Sequence, residues 1–309
     1  MSNHESGAVK YSVIIPAYNV GAFIEETIRN ILRRENNDYE IIVVDDGSSD
    51  NTCKVLKSIV SAKVSIIFQR NMGVSEARNV GLKHARGMYL LFLDGDDLLE
   101  SSLFDQVALP MELDPKVVVV YGNYRRITEN GRPIYGYFGG LRRRPSGSVL
   151  HRLLRGNFIA SPGMAMVRAT TARKVGGFDP SLNMSEDWNF WCRVATHGLF
   201  INLPKLCLLE YRQRHLSSTR TLGFQLQNHH RATESTFSTP EIVAMLDPSE
   251  HARLRRQHEG HVHCFLSCQR IRAGQLSAAG EELISAILIN PGRCLEFASR
   301  TFLAWVFTR

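Results

Sequence analysis

The sequence has no long apolar run, since none approaches the roughly 20 residues that a helix needs to cross a bilayer. Its first ten residues, MSNHESGAVK, are polar and lack the apolar core of a signal peptide. The six cysteines are scattered without a CxxC pair, which is typical of free thiols in a reducing compartment. We therefore expect a cytoplasmic protein, and peripheral contact with the inner face of a membrane stays open.

Three signatures of other protein classes are also absent. No GxGxxG follows the first predicted strand, which argues against a dehydrogenase. No helix-turn-helix, zinc-finger or RNA-recognition pattern accompanies the net charge of +7, so we expect no nucleic-acid partner. The first strand also lacks the Gly- and Lys/Arg-rich loop that is more usual in nucleotidyltransferases, although that class would share a nucleotide and metal site and remains an alternative.

The composition itself is that of a globular protein with unevenly distributed charge. The 309 residues are 44% hydrophobic and 22% charged, which favours one large α/β domain with a smaller appendage. Residues 1–100 hold 11 basic and 14 acidic side chains, whereas the remaining 209 residues hold 26 and 16. An acidic first part and a basic remainder suggest one site for cations and another for anions.

Strands and helices alternate over the first hundred residues. The predicted strands are short apolar runs at Tyr11–Pro16, Tyr39–Val44, Val64–Phe68 and Met88–Leu93. Helical spacing predicts the helices Gly21–Arg34, a segment ending near Ser61, and Gly73–Arg86. Continuous apolar strands predict an α/β fold with a mostly parallel sheet that is covered by helices on both faces.

Ligands of such sheets bind beyond the carboxyl ends of the strands. The unusual residues of this sequence lie at four of these ends: Pro16–Asn19, Asp45–Asp46, Arg70–Gly73 and Asp94–Asp97. Four strand ends that meet in one crevice are difficult to explain by folding alone. We therefore expect the functional site there.

The pattern changes after a fifth apolar run at Val117–Tyr121. Residues 130–178 contain no acidic side chain but nine arginines and lysines, including Arg142, Arg143 and Arg144. This basic stretch is either a surface for an anionic acceptor or membrane, or a solvated loop. The later predicted elements are a helix at Ser185–His197, a strand at Leu203–Tyr211 and, from about Gln225, mainly helices such as Leu276–Asn290.

Asp94, Asp96 and Asp97 lie within four positions after a strongly apolar strand. A capped turn would explain one of them, but three neighbouring carboxylates repel one another. A hard divalent cation, Mg²⁺ or Mn²⁺, would resolve the repulsion and keep positions open for substrate phosphates. Asp45–Asp46 fits either a simple turn or a contact with a nucleotide base or ribose.

Glu186–Asp187–Trp188 follows the basic stretch. Such an acidic pair often only complements a helix macrodipole, but an acid beside Trp188 and Trp191 also suits a general base near a sugar hydroxyl. A basic group after the next strand could hold a leaving diphosphate or form a solvated loop; its members are Tyr211, Arg212, Arg214 and His215.

Taken together, these motifs resemble those of the family 2 glycosyltransferases of the GT-A fold. The resemblance covers about residues 10–220 and rests on the order of YSVIIPAYNVGAFIEETI, IIVVDDGSSDNT, RNMGVSEARNVGLKHARGMYLLFLDGDDLLE and SEDWNFWCRVATHG. It implies transfer of a sugar from a nucleotide-sugar donor, with inversion and usually with a divalent cation, Mn²⁺ or Mg²⁺. We expect a UDP-sugar as donor and a saccharide or lipid-linked saccharide as acceptor.

The resemblance also assigns roles to single residues. It implies nucleotide contacts by Pro16, Ala17, Tyr18, Asn19, Asp46 and Asp96. It implies metal binding by Asp97, supported by Asp94, with His215 as a weaker match. Asp187 matches the catalytic base, and the residues expected on the acceptor and diphosphate side are Glu186, Trp188 and Arg212.

The resemblance divides the chain into three parts. Residues 1–9 are expected to be a flexible N-terminus, residues 10–220 the glycosyltransferase domain and residues 221–309 a helical C-terminal extension. Within the domain, 10–125 would bind the nucleotide and 126–220 the acceptor. The Gln-X-X-Arg-Trp motif and membrane helices of processive members are absent, which favours transfer of one sugar per encounter. A non-catalytic sugar-nucleotide-binding protein of the same fold remains an alternative.

Two C-terminal features have open interpretations. Several potential metal ligands lie on one predicted helix: His258, His261, His263, Cys264 and Cys268. Zinc sites usually draw ligands from two elements, so a packed or solvated helix is favoured over a metal site. The last segment, FASRTFLAWVFTR, either lies on a membrane surface or docks onto the catalytic domain, and docking is slightly favoured.

Overall fold

The computed structural model describes residues 8–134, 144–214 and 225–291. Three residues with expected roles, Arg142, Arg143 and His215, lie outside these ranges, as do residues 1–7 and the last segment, FASRTFLAWVFTR. The expected domain boundary near residue 220 is also outside them and stays a prediction. No helix within the described ranges is long and apolar enough to span a membrane.

The described ranges contain one sheet of eight strands in the order β3-β2-β1-β4-β7-β6-β8-β5. The strands are β1 (Tyr11–Ala17), β2 (Tyr39–Asp46), β3 (Val64–Gln69), β4 (Tyr89–Phe92), β5 (Leu98–Leu99), β6 (Val117–Ile127), β7 (Ala165–Arg168) and β8 (Leu199–Arg212).

The first four strands are parallel, and this half of the sheet carries the crevice. Every residue of β1, β2 and β4 is buried, because helices cover both faces. β1 pairs with β2 so that Ala17 lies opposite Asp45, and β2 pairs with β3 so that Asp46 lies opposite Gln69. The carboxyl ends therefore meet at one edge, and the expected mostly parallel α/β sheet is confirmed.

The second half of the sheet is mixed. β7 runs antiparallel between β4 and β6, and β8 runs parallel to β6. The short strand β5 pairs with the end of β8, with Leu98 opposite Glu210. This pairing brings the turn Asp94–Asp97, called the acidic turn below, next to Arg212 and Arg214.

Strands β6 and β8 are longer than the sequence predicted. β6 continues from Tyr121 to Ile127, and β8 begins at Leu199 instead of Leu203. Polar residues such as Arg125 and Glu210 face each other in this part of the ladder. Apolar periodicity does not detect such a strand, because its stability comes from backbone pairing and cross-strand charge.

Helices lie on both faces of the sheet and continue beyond it. They are α1 (Ile24–Leu32), α2 (Thr52–Ser58), α3 (Val74–His84), α4 (Phe104–Leu113), α5 (Leu150–Leu153), α6 (Ala169–Lys174), α7 (Glu186–Ala195), α8 (Gln225–Phe237), α9 (Pro240–Ala244), α10 (Pro248–Arg272) and α11 (Leu276–Ile289). The helices predicted over Gly21–Arg34, Gly73–Arg86 and Ser185–His197 all form, each a few residues shorter.

The C-terminal helices, α8 to α11, pack onto the sheet domain through α7. Helix α8 contacts α7, and α10 packs against both α8 and α11. Ser267 Oγ donates to the carbonyl of Ala279 at 2.9 Å, and His263 Nδ1 lies 2.6 Å from Glu282 Oε2. These contacts hold α10 and α11 side by side as a helical hairpin.

Candidate active site

An open cavity of about 1030 Å³ lies at the carboxyl ends of the parallel strands. It is called the site cavity below. Of the expected site residues, those that line it are Pro16, Ala17, Tyr18, Asn19, Asp46, Asp94, Asp96, Glu186, Asp187, Trp188 and Arg212. Asp97 is not among the lining residues. Segments more than 160 residues apart in sequence thus meet at one site, at the sheet edge where the strand ends predicted it.

The loop after β1 is held against the loop after β2. Asn19 adopts a left-handed conformation with φ of 53°. Its Oδ1 accepts hydrogen bonds from the backbone N–H of Ser49 at 2.8 Å and of Asp50 at 3.3 Å. This arrangement leaves Tyr18 50% exposed at the wall of the cavity.

Asp46 organises the loop that follows β3. Its Oδ1 accepts from Gln69 Nε2 at 2.7 Å and from the Met72 N–H at 2.8 Å, and its Oδ2 accepts from the Gly73 N–H at 2.8 Å. Gly73 has φ of 89°, a conformation that favours glycine, and α3 begins directly after it. Asp46 therefore shapes the cavity floor, and its contact with a base stays a prediction.

Arg78 joins the acidic turn to the start of α7. Its Nη2 lies 2.9 Å from Asp94 Oδ1, and its Nη1 lies 2.8 Å from Glu186 Oε1. Although burial acts to lower it, the pKa of Arg78 is raised by the charges of these two carboxylates. The guanidinium is thus a fixed positive charge between the two acidic motifs.

The sequence interpretation assigned no role to Arg78. A signal was present in the sequence, because Ala77, Gly81 and Leu82 mark the buried face of α3 and Arg78 lies on that face. A charged side chain at a buried position needs a partner. The identity of the partners, one of which is 108 residues away, depends on the tertiary fold.

Two arginines from the end of β8 contact the acidic turn. Arg212 is 3% exposed, and its Nε donates to the Asp96 carbonyl at 2.7 Å while its Nη2 lies 2.8 Å from Glu26 Oε2. Arg214 is more accessible, and its Nε lies 2.5 Å from Asp96 Oδ2. Burial and the Asp94 charge raise the pKa of Asp96, and the charges of Arg214 and Arg212 oppose that rise.

Asp97 lies beneath the turn and is 1% exposed. Its Oδ1 accepts from the Arg212 N–H at 2.8 Å, whereas its Oδ2 has no hydrogen-bond partner among the described residues. Burial and the charges of Asp96 and Asp94 raise the pKa of Asp97 well above its usual range. The carboxylates that face the cavity are therefore Asp94 and Asp96, and the metal role of Asp97 stays a prediction.

The chemistry of the acidic turn fits a divalent cation. Within the described ranges no group of three His, Cys, Asp or Glu side chains is arranged to hold a metal by itself. Mg²⁺ and Mn²⁺ typically take one or two carboxylates and complete their shell with water and substrate phosphates. Asp94 and Asp96 offer that number of hard oxygen ligands at the cavity wall.

Asp187 lies in the first turn of α7 and lines the site cavity. Its Oδ2 accepts from Asn157 Nδ2 at 3.0 Å, and its Oδ1 accepts from the Trp188 N–H at 2.7 Å. Burial and the neighbouring Glu186 charge raise the pKa of Asp187 to about 7, while the Arg78 charge opposes the rise. A carboxylate with a pKa near neutrality is suited to accept a proton.

Trp188 anchors this wall to the C-terminal helices. Its Nε1 donates to the Leu153 carbonyl at 2.7 Å, and its ring lies parallel to that of His258 with 3.9 Å between centroids. Because Trp188 is only 2% exposed, it supports the wall. Direct contact of Trp188 with an acceptor stays a prediction.

The C-terminal helices complete the cavity, which the sequence did not indicate. Residues of α8 and α10 line it: His229, His258, His261, Val262 and Phe265. The histidines of the histidine- and cysteine-containing segment therefore face two ways. His258 and His261 face the cavity, whereas His263 contacts Glu282 of α11. Helix α10 is polar around most of its surface, so no apolar stripe marks its inward face.

The basic stretch is partly structural. Arg144 Nη1 donates to the Phe158 carbonyl, Arg168 Nη2 to the Met111 carbonyl and Arg173 Nη2 to the Ala85 carbonyl. These arginines satisfy main-chain acceptors inside the fold. Arg144 and Arg168 are half-buried in these contacts, whereas Arg173 remains exposed.

Comparison with known protein families gives a clear match. The model of the family described as Glycosyl transferase family 2 matches residues 12–176. An uncharacterized glycosyltransferase of Rickettsia typhi is 31% identical over 227 residues, which cover 71% of this chain and 68% of that protein.

Two other relatives are longer than this chain. The uncharacterized glycosyltransferase EpsJ of Bacillus subtilis is 39% identical over 120 residues, covering 38% of this chain and 35% of EpsJ. The chondroitin synthase of Escherichia coli is 26% identical over 233 residues, covering 74% of this chain and 32% of the synthase. The matched region thus spans about a third of the length of each of these two relatives.

Solved structures share the fold. Residues 1–349 of S. aureus TarS, in complex with UDP-GlcNAc, align with a TM-score of 0.61 at 15% identity over 90% of this chain and 91% of that chain. The mannosyltransferase PcManGT of Pyrobaculum calidifontis, in complex with GDP-Man and Mn²⁺, aligns with a TM-score of 0.58 at 18% identity, over 96% and 80% of the chains. At these identities the likeness concerns the fold alone.

Proposed function

Because this chain belongs to glycosyl transferase family 2, a family of sugar-transferring enzymes, we propose that it moves a sugar from a nucleotide-diphosphate donor to a hydroxyl group with inversion. The observation that carries this proposal is the meeting of Asp187 with Asp94 and Asp96 in one cavity. A proton acceptor and a diphosphate-binding turn that line the same cavity would hold the reacting sugar carbon between them.

The donor nucleotide would lie along the strand ends. The half-exposed ring of Tyr18 offers a face for a base, and the loop held by Asp46 forms the floor beside it. Asp96, which the resemblance places near the ribose, would lie between the ribose and the diphosphate. The expected donor is a UDP-sugar, and the UDP-GlcNAc bound by TarS supports this choice, whereas the GDP-Man bound by PcManGT supports a guanine nucleotide as the second possibility.

The diphosphate would lie against the acidic turn. A divalent cation held by Asp94 and Asp96, with Asp97 beneath them, would neutralise the negative charge that develops on the leaving group. Arg214, which already contacts Asp96 and is the more accessible arginine of the pair, would approach the phosphate oxygens, while the buried Arg212 keeps the turn in place.

Asp187 would act as the base. Its carboxylate takes the proton of the acceptor hydroxyl while the acceptor oxygen bonds to the anomeric carbon from the face opposite the diphosphate. The bond between that carbon and the phosphate oxygen breaks, and its electron pair leaves with the nucleoside diphosphate. The hydrogen bonds from Asn157 to Oδ2 and from the Trp188 N–H to Oδ1 would fix the orientation of this carboxylate toward the acceptor.

The acceptor would be a saccharide or a lipid-linked saccharide. Catalysis at the cytoplasmic side, with or without peripheral contact with an anionic membrane, belongs to the same proposal. The absence of the Gln-X-X-Arg-Trp motif supports transfer of one sugar per encounter.

A panel of nucleotide-sugars with Mn²⁺ tests the proposal. We expect the protein to release nucleoside diphosphate from at least one donor and to form a product of inverted anomeric configuration, read by ¹H NMR. Asp187→Asn should keep nucleotide binding and lose turnover. An absence of turnover with every donor, and no difference between Asp187→Asn and the wild type, would leave the alternatives of a nucleotidyltransferase or a non-catalytic binding protein.

A further inference from the structure

Helices α8 and α10 form a wall of the site cavity directly beside Asp187. Ser185 precedes Glu186 and Asp187 at the start of α7, and its Oγ lies 3.0 Å from Nδ1 of His229 on α8. The imidazole of His261 on α10 packs against the backbone of Gly156, which precedes Asn157. The contact is close, because a Cβ atom built onto Gly156 would lie only 3.0 Å from Nε2 of His261. Both histidines therefore flank the residues that hold the expected base.

The polar groups of this wall are arranged for a ligand. His229 uses Nδ1 for its contact with Ser185, and its buried Nε2 has no hydrogen-bond partner among the described residues. Val262 and Phe265 line the same part of the cavity, and the Phe265 ring lies 5.9 Å from that of His229. An apolar ring beside hydrogen-bonding imidazoles matches a pyranose, which has an apolar C–H face and a rim of hydroxyl groups.

We propose that His229, His261 and Phe265 form the subsite that holds the acceptor sugar, and that this sugar is a neutral pyranose. The inference rests on the proposed function, since the subsite borders Asp187. One hydroxyl of the acceptor meets Nε2 of His229, another meets the His261 imidazole, and the ring face packs on Phe265. This geometry presents a remaining hydroxyl to Asp187.

The charge state of His229 supports a neutral ligand. Burial, followed by the charge of His230, lowers the pKa of His229 to about 4. The imidazole is therefore uncharged at neutral pH and can exchange hydrogen bonds with a hydroxyl, but it does not attract a phosphate by charge. Arg144, Arg168 and Arg173 do not line the cavity, so these three cations of the basic stretch are not placed to meet an anionic acceptor there.

The test measures binding of four methyl pyranosides, those of glucose, galactose, mannose and N-acetylglucosamine, by saturation-transfer NMR with UDP and Mn²⁺ present. Glucose 6-phosphate and mannose 6-phosphate are the charged comparators. We expect at least one neutral pyranoside to bind more tightly than either phosphate. Its affinity should fall about fivefold or more in His229→Phe, which keeps a ring but loses the hydrogen bond, and by a similar factor in His261→Ala.

Arg231→Gln is the control, because Arg231 is an exposed residue of the same helix and does not line the cavity. It should bind pyranosides as the wild type does. His229→Phe and His261→Ala alter different helices, so a folding defect in one variant leaves the other as a test. Melting curves of both variants identify such a defect.

Nucleotide binding separates this inference from the proposed function. The rise in melting temperature on adding UDP should be the same in the wild type and in the His229 and His261 variants. Failure of any nucleotide to stabilise the wild type would count against the proposed function. With nucleotide binding intact, the subsite is wrong if no pyranoside binds, if the sugar phosphates bind better, or if binding survives both substitutions.

Discussion

Arg78 Nη2 lies 2.9 Å from Asp94 Oδ1, and the same guanidinium also contacts Glu186 at 2.8 Å. The acidic turn and the start of α7 are thereby connected through one buried positive charge. Loss of that charge would leave two carboxylates facing each other, and it would also remove the cation that lowers the pKa of Asp187.

Replacing Arg78 should therefore change both stability and the pH dependence of turnover. We expect Arg78→Gln to lower the free energy of unfolding by about 2 kcal/mol, because the variant leaves two partly buried carboxylates, Asp94 and Glu186, without their cation. The pH at which turnover is half-maximal should rise, since Asp187 then holds its proton more tightly. Arg78→Lys should show a smaller shift. Lys83→Gln, on the exposed face of the same helix, is the control and should change neither property.

The pH profile of the wild type follows from the raised pKa of Asp187. A base must be deprotonated to act, so kcat/KM for donor turnover should increase with pH through a limb near pH 7. Glu186→Gln should move this limb to lower pH, because the Glu186 charge is one cause of the raised pKa. A limb that stays at the same pH in both Glu186→Gln and Arg78→Lys would contradict the electrostatic link.

The ionised side chain of Asp187 should also lower the free energy of unfolding at neutral pH. Its pKa in the folded state lies above the usual value for an aspartate, so folding favours the protonated form. The destabilisation is absent below the unfolded-state pKa near 4 and grows until the pH exceeds about 7, at about 1.4 kcal/mol per unit of pKa difference. Asp187→Asn should melt at a higher temperature than the wild type at pH 8 and at the same temperature near pH 4. A lower melting temperature of the variant at pH 8 would contradict this argument.

Titration with Mn²⁺ can decide whether Asp96 or Asp97 of the acidic turn binds the divalent cation. Asp96 lines the cavity, whereas Asp97 is buried and bonded to the Arg212 N–H. We expect Asp96→Asn to weaken Mn²⁺ binding in the presence of UDP by about tenfold or more, and Asp97→Asn to weaken it less. Calorimetric titration of both variants measures the difference. The reverse order would assign the cation to Asp97, as the family resemblance implies.

The sequence predicted the parallel half of the fold well because its strands are buried on both faces. Tyr39–Asp46, for example, has no exposed residue, and its apolar run is visible without a structure. The ends of these strands also predicted that Asp46 and Asp94 would meet, since the carboxyl ends of parallel strands share one edge. Asp187 lies at the start of a helix, and its place in the same site was implied by the family resemblance alone.

What the sequence could not predict depends on partners far apart in the chain. Whether Asp96 or Asp97 faces the cavity is decided by the backbone N–H of Arg212, which reaches the turn only through the pairing of β5 with β8. The role of Arg78 needs the position of Glu186, and the role of His261 needs the packing of α10 beside Gly156. Periodicity describes single elements and contains no information about such contacts.

The central claim, that Asp187 is the base of a sugar transfer, is tested most directly by donor turnover of Asp187→Asn at saturating Mn²⁺ and pH 8. We predict that the variant binds UDP like the wild type, while its kcat falls by about 10²–10⁴-fold and loses the limb near pH 7. Turnover of the variant at the wild-type rate, with the limb near pH 7 retained, would contradict the account.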